Sequence, residues 1–343
     1  MNFLKYSILL ILFTLGCQNI FAQNNEDAHA LLKEGVQLND QGKYAEAIAK
    51  YDEALKLDPN NLYADFEMAY SLFASNKGDD GIPYLQKVIA AGTSLTPGAY
   101  DLLGSIYDRD NQKDKAIEAY NAGIKANPAY QRLYYNLGLV YFRYKDYAEA
   151  EKNAIEAIKL DPKHASSQRM YALLCFHQNK RVPALLGFCS FILLEPNTVR
   201  SVEAYNNIQH ILQGGVLKAD NGSTTIQISP NDSKDMGILN MGISLIVVSG
   251  QTKKLTGADL FEYELKSIFE LAGQLSEKKT EAEKDFFWKY DADYFYKLAQ
   301  SPNIAAFARL VSLSNPESTQ WLRDNPQKAS DLMNWVKTTE RGF

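Results

Sequence analysis

The chain is poor in the residues that usually carry chemistry: 343 residues hold three cysteines, four histidines and three tryptophans. His29, His164, His177 and His210 are scattered, and none stands beside a second His or Cys at metal-ligand spacing. HExxH, CxxC, GxSxG and glycine-rich phosphate loops are all missing. No catalytic residue, cofactor or metal is therefore assigned. Asp291 and Asp293, set among the tail aromatics, come nearest to a carboxylate pair. Two residues apart on a helix they do not face each other, and hydroxyl or lysine partners in a helical core are the simpler reading. Positive charge is also in deficit: 36 Lys and Arg against 41 Asp and Glu leave a formal net charge of −5, with no basic stripe. That excludes the electrostatic footprint of a nucleic-acid binder. Apolar runs stay well below the ~20 residues a spanning helix needs, so no transmembrane segment is predicted.

Residues 1–22, MNFLKYSILLILFTLGCQNIFA, read as a secretory signal peptide. Lys5 precedes an apolar core from Ile8 to Leu15, and Ala22 precedes the polar QNNED. The expected location is periplasmic or otherwise exported. The alternative is lipoprotein processing and a lipid anchor at Cys17. Gly16 fits that alternative, whereas Thr14 stands where Leu is usual, so cleavage after Ala22 is favoured. Loss of Lys5 takes the net charge to −6. The remaining cysteines, Cys175 and Cys189, are read as two buried thiols in preference to a disulfide.

What the chain does have is a repeat. With Gln131 as position 1 of a 34-residue unit, Tyr134, Leu137, Gly138 and Tyr141 take positions 4, 7, 8 and 11, one face of a first helix. Ala150, Ala154 and Ala157 take 20, 24 and 27 on a second helix, and Pro162 at 32 ends it. Gly138 and Ala150 let two backbones approach, and a neighbouring unit supplies the other wall of the core. The register recurs with starts at 28, 62, 97, 131 and 165. Gly35, Ala47, Tyr51, Ala54 and Pro59 fit, as do Gly104, Ala116, Tyr120 and Pro128, and Ala172, Ala184, Phe188 and Pro196. The second unit is degenerate: it keeps Ala69 and Val88 but has Gly81, Leu85 and Thr93 at positions 20, 24 and 32.

From Ala28 to Pro196 the chain resembles the tetratricopeptide-repeat (TPR) family. The resemblance implies an all-α fold, a TPR-type α-solenoid of about five helix pairs. It also implies a groove lined by positions 2, 5, 9, 12 and 13 of the first helices, which holds a protein or extended peptide. Carried over, those positions give Tyr63, Phe66, Tyr70 and Phe73 in the second unit and Asp101, Ser105, Asp108 and Arg109 in the third. The fourth contributes Arg132, Tyr135, Leu139, Phe142 and Arg143, and the fifth Arg169, Leu173, Phe176 and His177. Aromatic and Arg residues make good interface anchors, and Arg132, Arg143 and Arg169 suit an acidic peptide. A Lys/Asn clamp for a C-terminal carboxylate is not supported, because Leu32 and Val36 occupy positions 5 and 9 of the first unit.

The expected organisation is a signal peptide at 1–22, a solenoid with a capping helix (Val199–Gln213) at 23–214, a linker at 215–230, and a separate, mostly helical C-terminal domain at 231–343. Thr224, Ile226 and Ile228 alternate as one short strand. Helices are predicted over Asp235–Val248, Leu260–Leu275, Phe286–Leu298, Asn303–Ser314 and Ser318–Lys337. The leading functional expectation is a non-catalytic scaffold or adaptor of a bacterial cell envelope. Two alternatives stand beside it. In one, the repeats present a C-terminal ligand-binding or enzymatic domain built around Trp288, Tyr290, Tyr294 and Trp321. In the other, the chain is a structural subunit of an envelope assembly.

Overall fold

The computed structural model describes residues 25–218, 224–226 and 234–343. The leader at 1–22 and residues 219–223 and 227–230 of the expected linker lie outside them. Each predicted repeat is a pair of helices. α1 covers 25–40, then come α2 (Tyr44–Leu57), α3 (Leu62–Ala74), α4 (Gly78–Ala91), α5 (Thr96–Arg109), α6 (Lys113–Ala126), α7 (Gln131–Arg143), α8 (Tyr147–Leu160), α9 (Ala165–His177) and α10 (Arg181–Leu194). Contacts divide the chain into two compact units, the boundary falling inside α7 after Val140.

One turn is used five times. Gly42, Asn76, Asn111, Lys145 and Asn179 all stand at position 15 and all have positive φ, between 57° and 73°. The next residue's N–H reaches back to the carbonyl at position 11: Lys43 to Leu38 (2.9 Å), Lys77 to Leu72 (2.8 Å), Gln112 to Tyr107 (2.8 Å), Asp146 to Tyr141 (3.0 Å) and Lys180 to Cys175 (2.9 Å). This left-handed stop satisfies a carbonyl the first helix would leave orphaned. The second helix then starts at once, and the two pack side by side.

In the first unit the small residue at position 8 makes room for the aromatic at 24. A Cβ added at Gly104 would lie 2.6 Å from the Tyr120 ring, and one at Gly35 would collide with Tyr51. The degenerate repeat solves the same problem with backbone on backbone: a Cβ on Gly81 would stand 3.2 Å from the Cα of Ala69. Two apolar clusters result, one around Tyr51, Met68 and Leu72, the other around Leu85, Leu102 and Ile106.

The second unit is organised around α10. Arg181 through Leu193 are all buried, because α9, α11 (Val199–Gln213), α12 (Lys234–Thr252), α15 (Ile304–Val311) and a π-helical turn (Phe287–Ala292) surround it. The Arg181 guanidinium donates to the carbonyls of Ile211 (2.8 Å) and Gly214 (2.5 Å) at the end of α11, and to Asn240 O (2.9 Å) and Ser244 Oγ (3.0 Å) on α12. By contacts, residues 141–214 share one compact unit with the C-terminal helices, since α10 is apolar all round and needs covering on every side.

Between α11 and α12, β1 (Val216–Lys218) pairs antiparallel with β2 (Thr224–Ile226), Val216 opposite Ile226. The predicted strand at Thr224 is thus half of a ribbon. After α13 (Gly257–Ser276), the helix expected over Phe286–Leu298 is the π-helical turn followed by α14 (Asp293–Ala299). The single helix expected over Ser318–Lys337 is two, α16 (Pro316–Asp324) and α17 (Pro326–Thr338). Pro326 has no N–H to continue α16 and is well placed to begin α17.

Asp291 and Asp293 have the partners expected of structural carboxylates. Fully buried Asp291 accepts from Ser190 Oγ (2.9 Å) and from the Arg341 guanidinium (3.1 Å), and burial pushes its pKa up to about 6 against the pull of Arg341. Asp293 accepts from Ser276 Oγ (2.5 Å) and Lys284 Nζ (3.0 Å). Cys175 and Cys189 are buried free thiols, and burial raises both well above the usual thiol range.

Candidate functional site

The first unit holds a cleft of about 350 Å³ between the first helices of successive repeats. One wall is α3, where positions 5, 9 and 12 of the repeat place Phe66, Tyr70 and Phe73 on a single face. Tyr70 is 44% exposed, and Phe66 and Phe73 are half-buried. The opposite wall is α5, with Asp101 and Ser105, and Arg132 of α7 borders it. The remaining wall is α1, which contributes Val36, Asn39 and Asp40.

The polar groups of this cleft differ in how they are satisfied. Buried Asp101 accepts from Asn136 Nδ2 (2.7 Å) and lies 3.3 Å from the Arg132 guanidinium. Burial raises its pKa, while Arg132 and Asn136 pull the other way. Arg109 donates to the Phe73 carbonyl (2.6 Å) and sits 4.3 Å over the Phe73 ring. Ser71 donates to Asn39 Oδ1 (3.0 Å). Glu67 lines the cleft between Phe66 and Tyr70 and is half-buried. Its pKa is raised, first by burial and then by the negative charge of Asp40.

The structure thus gathers Phe66, Tyr70, Phe73, Asp101, Ser105 and Arg132, six of the residues carried over by register. Tyr63 stands exposed on α3 outside the cleft lining, and Tyr135 is half-buried on α7, also outside it. In the second unit Phe142, Phe176 and His177 meet in an aromatic group. The His177 ring stacks on Tyr147 at 5.3 Å and lies 5.4 Å from Phe142, and Phe176 meets His210 edge-on at 5.8 Å. Arg143 is exposed at the end of α7, and Arg169 pairs with Glu203 at 2.8 Å. Arg132 and Arg169 are therefore both engaged by carboxylates of the chain, which weakens the case for an acidic peptide.

Among the cleft residues that the carried-over positions do not name are two carboxylates. Asp40 is position 13 of the first unit, so extending the register there finds it. Glu67 is position 6 of the second, outside the five carried-over positions, and only the fold brings it in.

A second cavity, of about 420 Å³, lies in the second unit, lined by Leu193, Tyr290, Tyr294, Val336, Arg341 and Phe343 among others. Trp288 and Trp321 do not line it; they carry Lys279 and Arg309 over their rings. Among the described residues no cluster of three metal-ligating side chains is found, and no helix is long and apolar enough to cross a membrane.

Two family models match the chain. TPR repeat matches residues 35–75, and Tetratricopeptide repeat matches residues 66–130, 102–165 and 135–184. Among similar proteins, Tetratricopeptide repeat protein 6 of Homo sapiens is 27% identical over 130 residues, 38% of this chain and 25% of that protein. Hsp70-Hsp90 organizing protein 3 of Arabidopsis thaliana is 34% identical over 89 residues, 26% of this chain and 16% of that one. The chain thus spans a quarter or less of the length of these relatives. Among solved structures, that of the MamA protein is 26% identical, covers 50% of this chain and 92% of its own, and superposes with a TM-score of 0.43. Pseudomonas aeruginosa PilF is 18% identical, covering 55% of this chain and 90% of its own, with a TM-score of 0.47.

Proposed function

Because residues 35–184 of this chain are tetratricopeptide repeats, we propose that the protein is a non-catalytic scaffold that holds a protein or extended peptide in the cleft between α1, α3, α5 and Arg132. The observation that carries this reading is the face of exposed Tyr70 and half-buried Phe66 and Phe73 within a cleft of about 350 Å³. An aromatic face of this kind offers large contact area for few rotors, the property of an interface anchor. A relative named for organising Hsp70 with Hsp90 supports a protein-binding role for such repeats. The scaffold works in the bacterial cell envelope. That part rests on the composition of residues 1–22, with release after Ala22 favoured over a lipid anchor at Cys17.

Crosslinking followed by mass spectrometry on intact envelopes identifies the partner, and pull-down with Tyr70→Ala and Phe66→Ala then tests the cleft. Loss of the partner with an unchanged helical signal is the expected result. Undiminished capture by both variants overturns the cleft as the binding face. Capture lost only with Phe142→Ala or Arg143→Glu moves binding to the second unit.

A further inference from the structure

We infer that the segment held in this cleft is cationic, presenting a Lys or Arg side chain between the carboxylates of Asp40 and Glu67 and against the Tyr70 ring. The inference rests on the cleft being the binding face and adds the chemistry of what fills it.

Three carboxylates border the cleft, and they are not equivalent. Asp101 is engaged from within, by the Arg132 guanidinium at 3.3 Å and a hydrogen bond from Asn136 at 2.7 Å. Asp40 and Glu67 have no cation within ion-pair distance among the described residues, and each adds to the other's negative field. Keeping Glu67 charged beside the aromatic rings is costly for the free protein, because half-burial takes water from its carboxylate and Asp40 adds a like charge. A ligand ammonium or guanidinium relieves that cost on binding and gains charge-assisted hydrogen bonds to both carboxylates. An anionic ligand adds to the repulsion.

The aromatic wall points the same way. Carboxylates beside ring faces make a site for a cation, since the ring quadrupole attracts positive charge. One lining ring, Phe73, already carries a cation, the Arg109 guanidinium at 4.3 Å. The Tyr70 ring, 44% exposed, is available for a second. Arg132, which lines the cleft, is engaged by Asp101, and Arg109 by the Phe73 carbonyl and ring, so neither makes an ion pair with Asp40 or Glu67.

The test uses the full mature chain and fluorescein-labelled twelve-residue peptides in matched triplets. Members of a triplet differ only at two positions, which carry Lys/Arg, Gln or Glu beside a common pair of aromatic residues. Fluorescence polarisation is expected to rank Lys/Arg about tenfold or more above Gln, with the Glu peptides weakest. The double variant Asp40→Asn, Glu67→Gln keeps side-chain shape and is expected to erase the Lys/Arg advantage while leaving the Gln peptides unchanged. Equal affinities across the triplets, all lost in Tyr70→Ala, overturn the charge inference and leave the cleft as the binding face. Preference for the Glu peptides overturns it as well. Peptide binding that neither the carboxylate pair nor Tyr70→Ala alters, or no binding by any peptide, overturns both. Concentration-dependent self-association abolished by Tyr70→Ala assigns the cleft to a second copy of the chain and also overturns the inference.

Discussion

Arg132 and Asp101 form an ion pair at 3.3 Å in which one partner is exposed and the other buried. The arginine side chain keeps 66% of its surface, while the aspartate keeps 6%. Such a pair matters less for the energy of the arginine than for the carboxylate it would abandon. Arg132→Ala is expected to cost about 1 kcal/mol, and Asp101→Asn on that background to recover most of it. A double-mutant cycle by urea denaturation reads the coupling directly. A coupling near zero would mean that Asn136 alone satisfies Asp101.

Lys145 stands with φ at 61° in a turn position that the other four repeats give to Gly or Asn. A side chain in the left-handed region crowds its own backbone, which Gly avoids. Lys145→Gly is expected to raise stability by up to about 1 kcal/mol, the strain relieved outweighing the looser unfolded chain. The urea midpoint of the variant checks this; a lower midpoint would show that the strain is absorbed elsewhere.

Gly104→Ala places a methyl 2.6 Å from a Tyr120 ring that is 1% exposed and cannot swing away. The expected loss is about 1–3 kcal/mol. Tyr120→Leu introduced with it removes the colliding atoms, so the pair should lose less than the two single changes added together. Additive losses in thermal melts would place the helix crossing elsewhere.

Glu264 on α13 is buried, and burial alone lifts its pKa from 4.5 to about 7. Below about pH 4.5 the group is protonated folded or unfolded and carries no penalty. As pH rises, the unfolded chain ionises first, so this group's drain on stability grows between those values and is complete above about pH 7. It amounts to about 3 kcal/mol at pH 8. Glu264→Gln should therefore gain stability at pH 8 and little at pH 4.5, which denaturation at the two pH values compares. An equal change at both would exclude titration as the cause.

The repeat was open to reading because its physical demands recur. Gly35, Gly104 and Ala172 at position 8, the prolines at 32, and the Gly or Asn residues at 15 each answer a local steric need, and local needs leave marks in composition. Positions 5, 9 and 12 likewise located Phe66, Tyr70 and Phe73, since one helix face is set by period alone. The cleft's charge was harder to read. It depends on Arg132 finding Asp101, on Asn136 finding the same carboxylate, and on Glu67 turning inward from position 6, all of which are decided between helices. The tail followed the same rule. Its helices show in their apolar spacing and Pro326 marks a break, but nothing local announces the π-helical turn at Phe287–Ala292 or the reach of Arg341 to Asp291.

α10 has no wet side, and that bears on how the molecule can be divided or lengthened. A chain cut at residue 214 loses α12, the π-helical turn and α15 from around α10 and lays bare a greasy rod. The helices beyond the repeats thus act as a plug. Splicing another pair in after α10 would first require pulling that plug out.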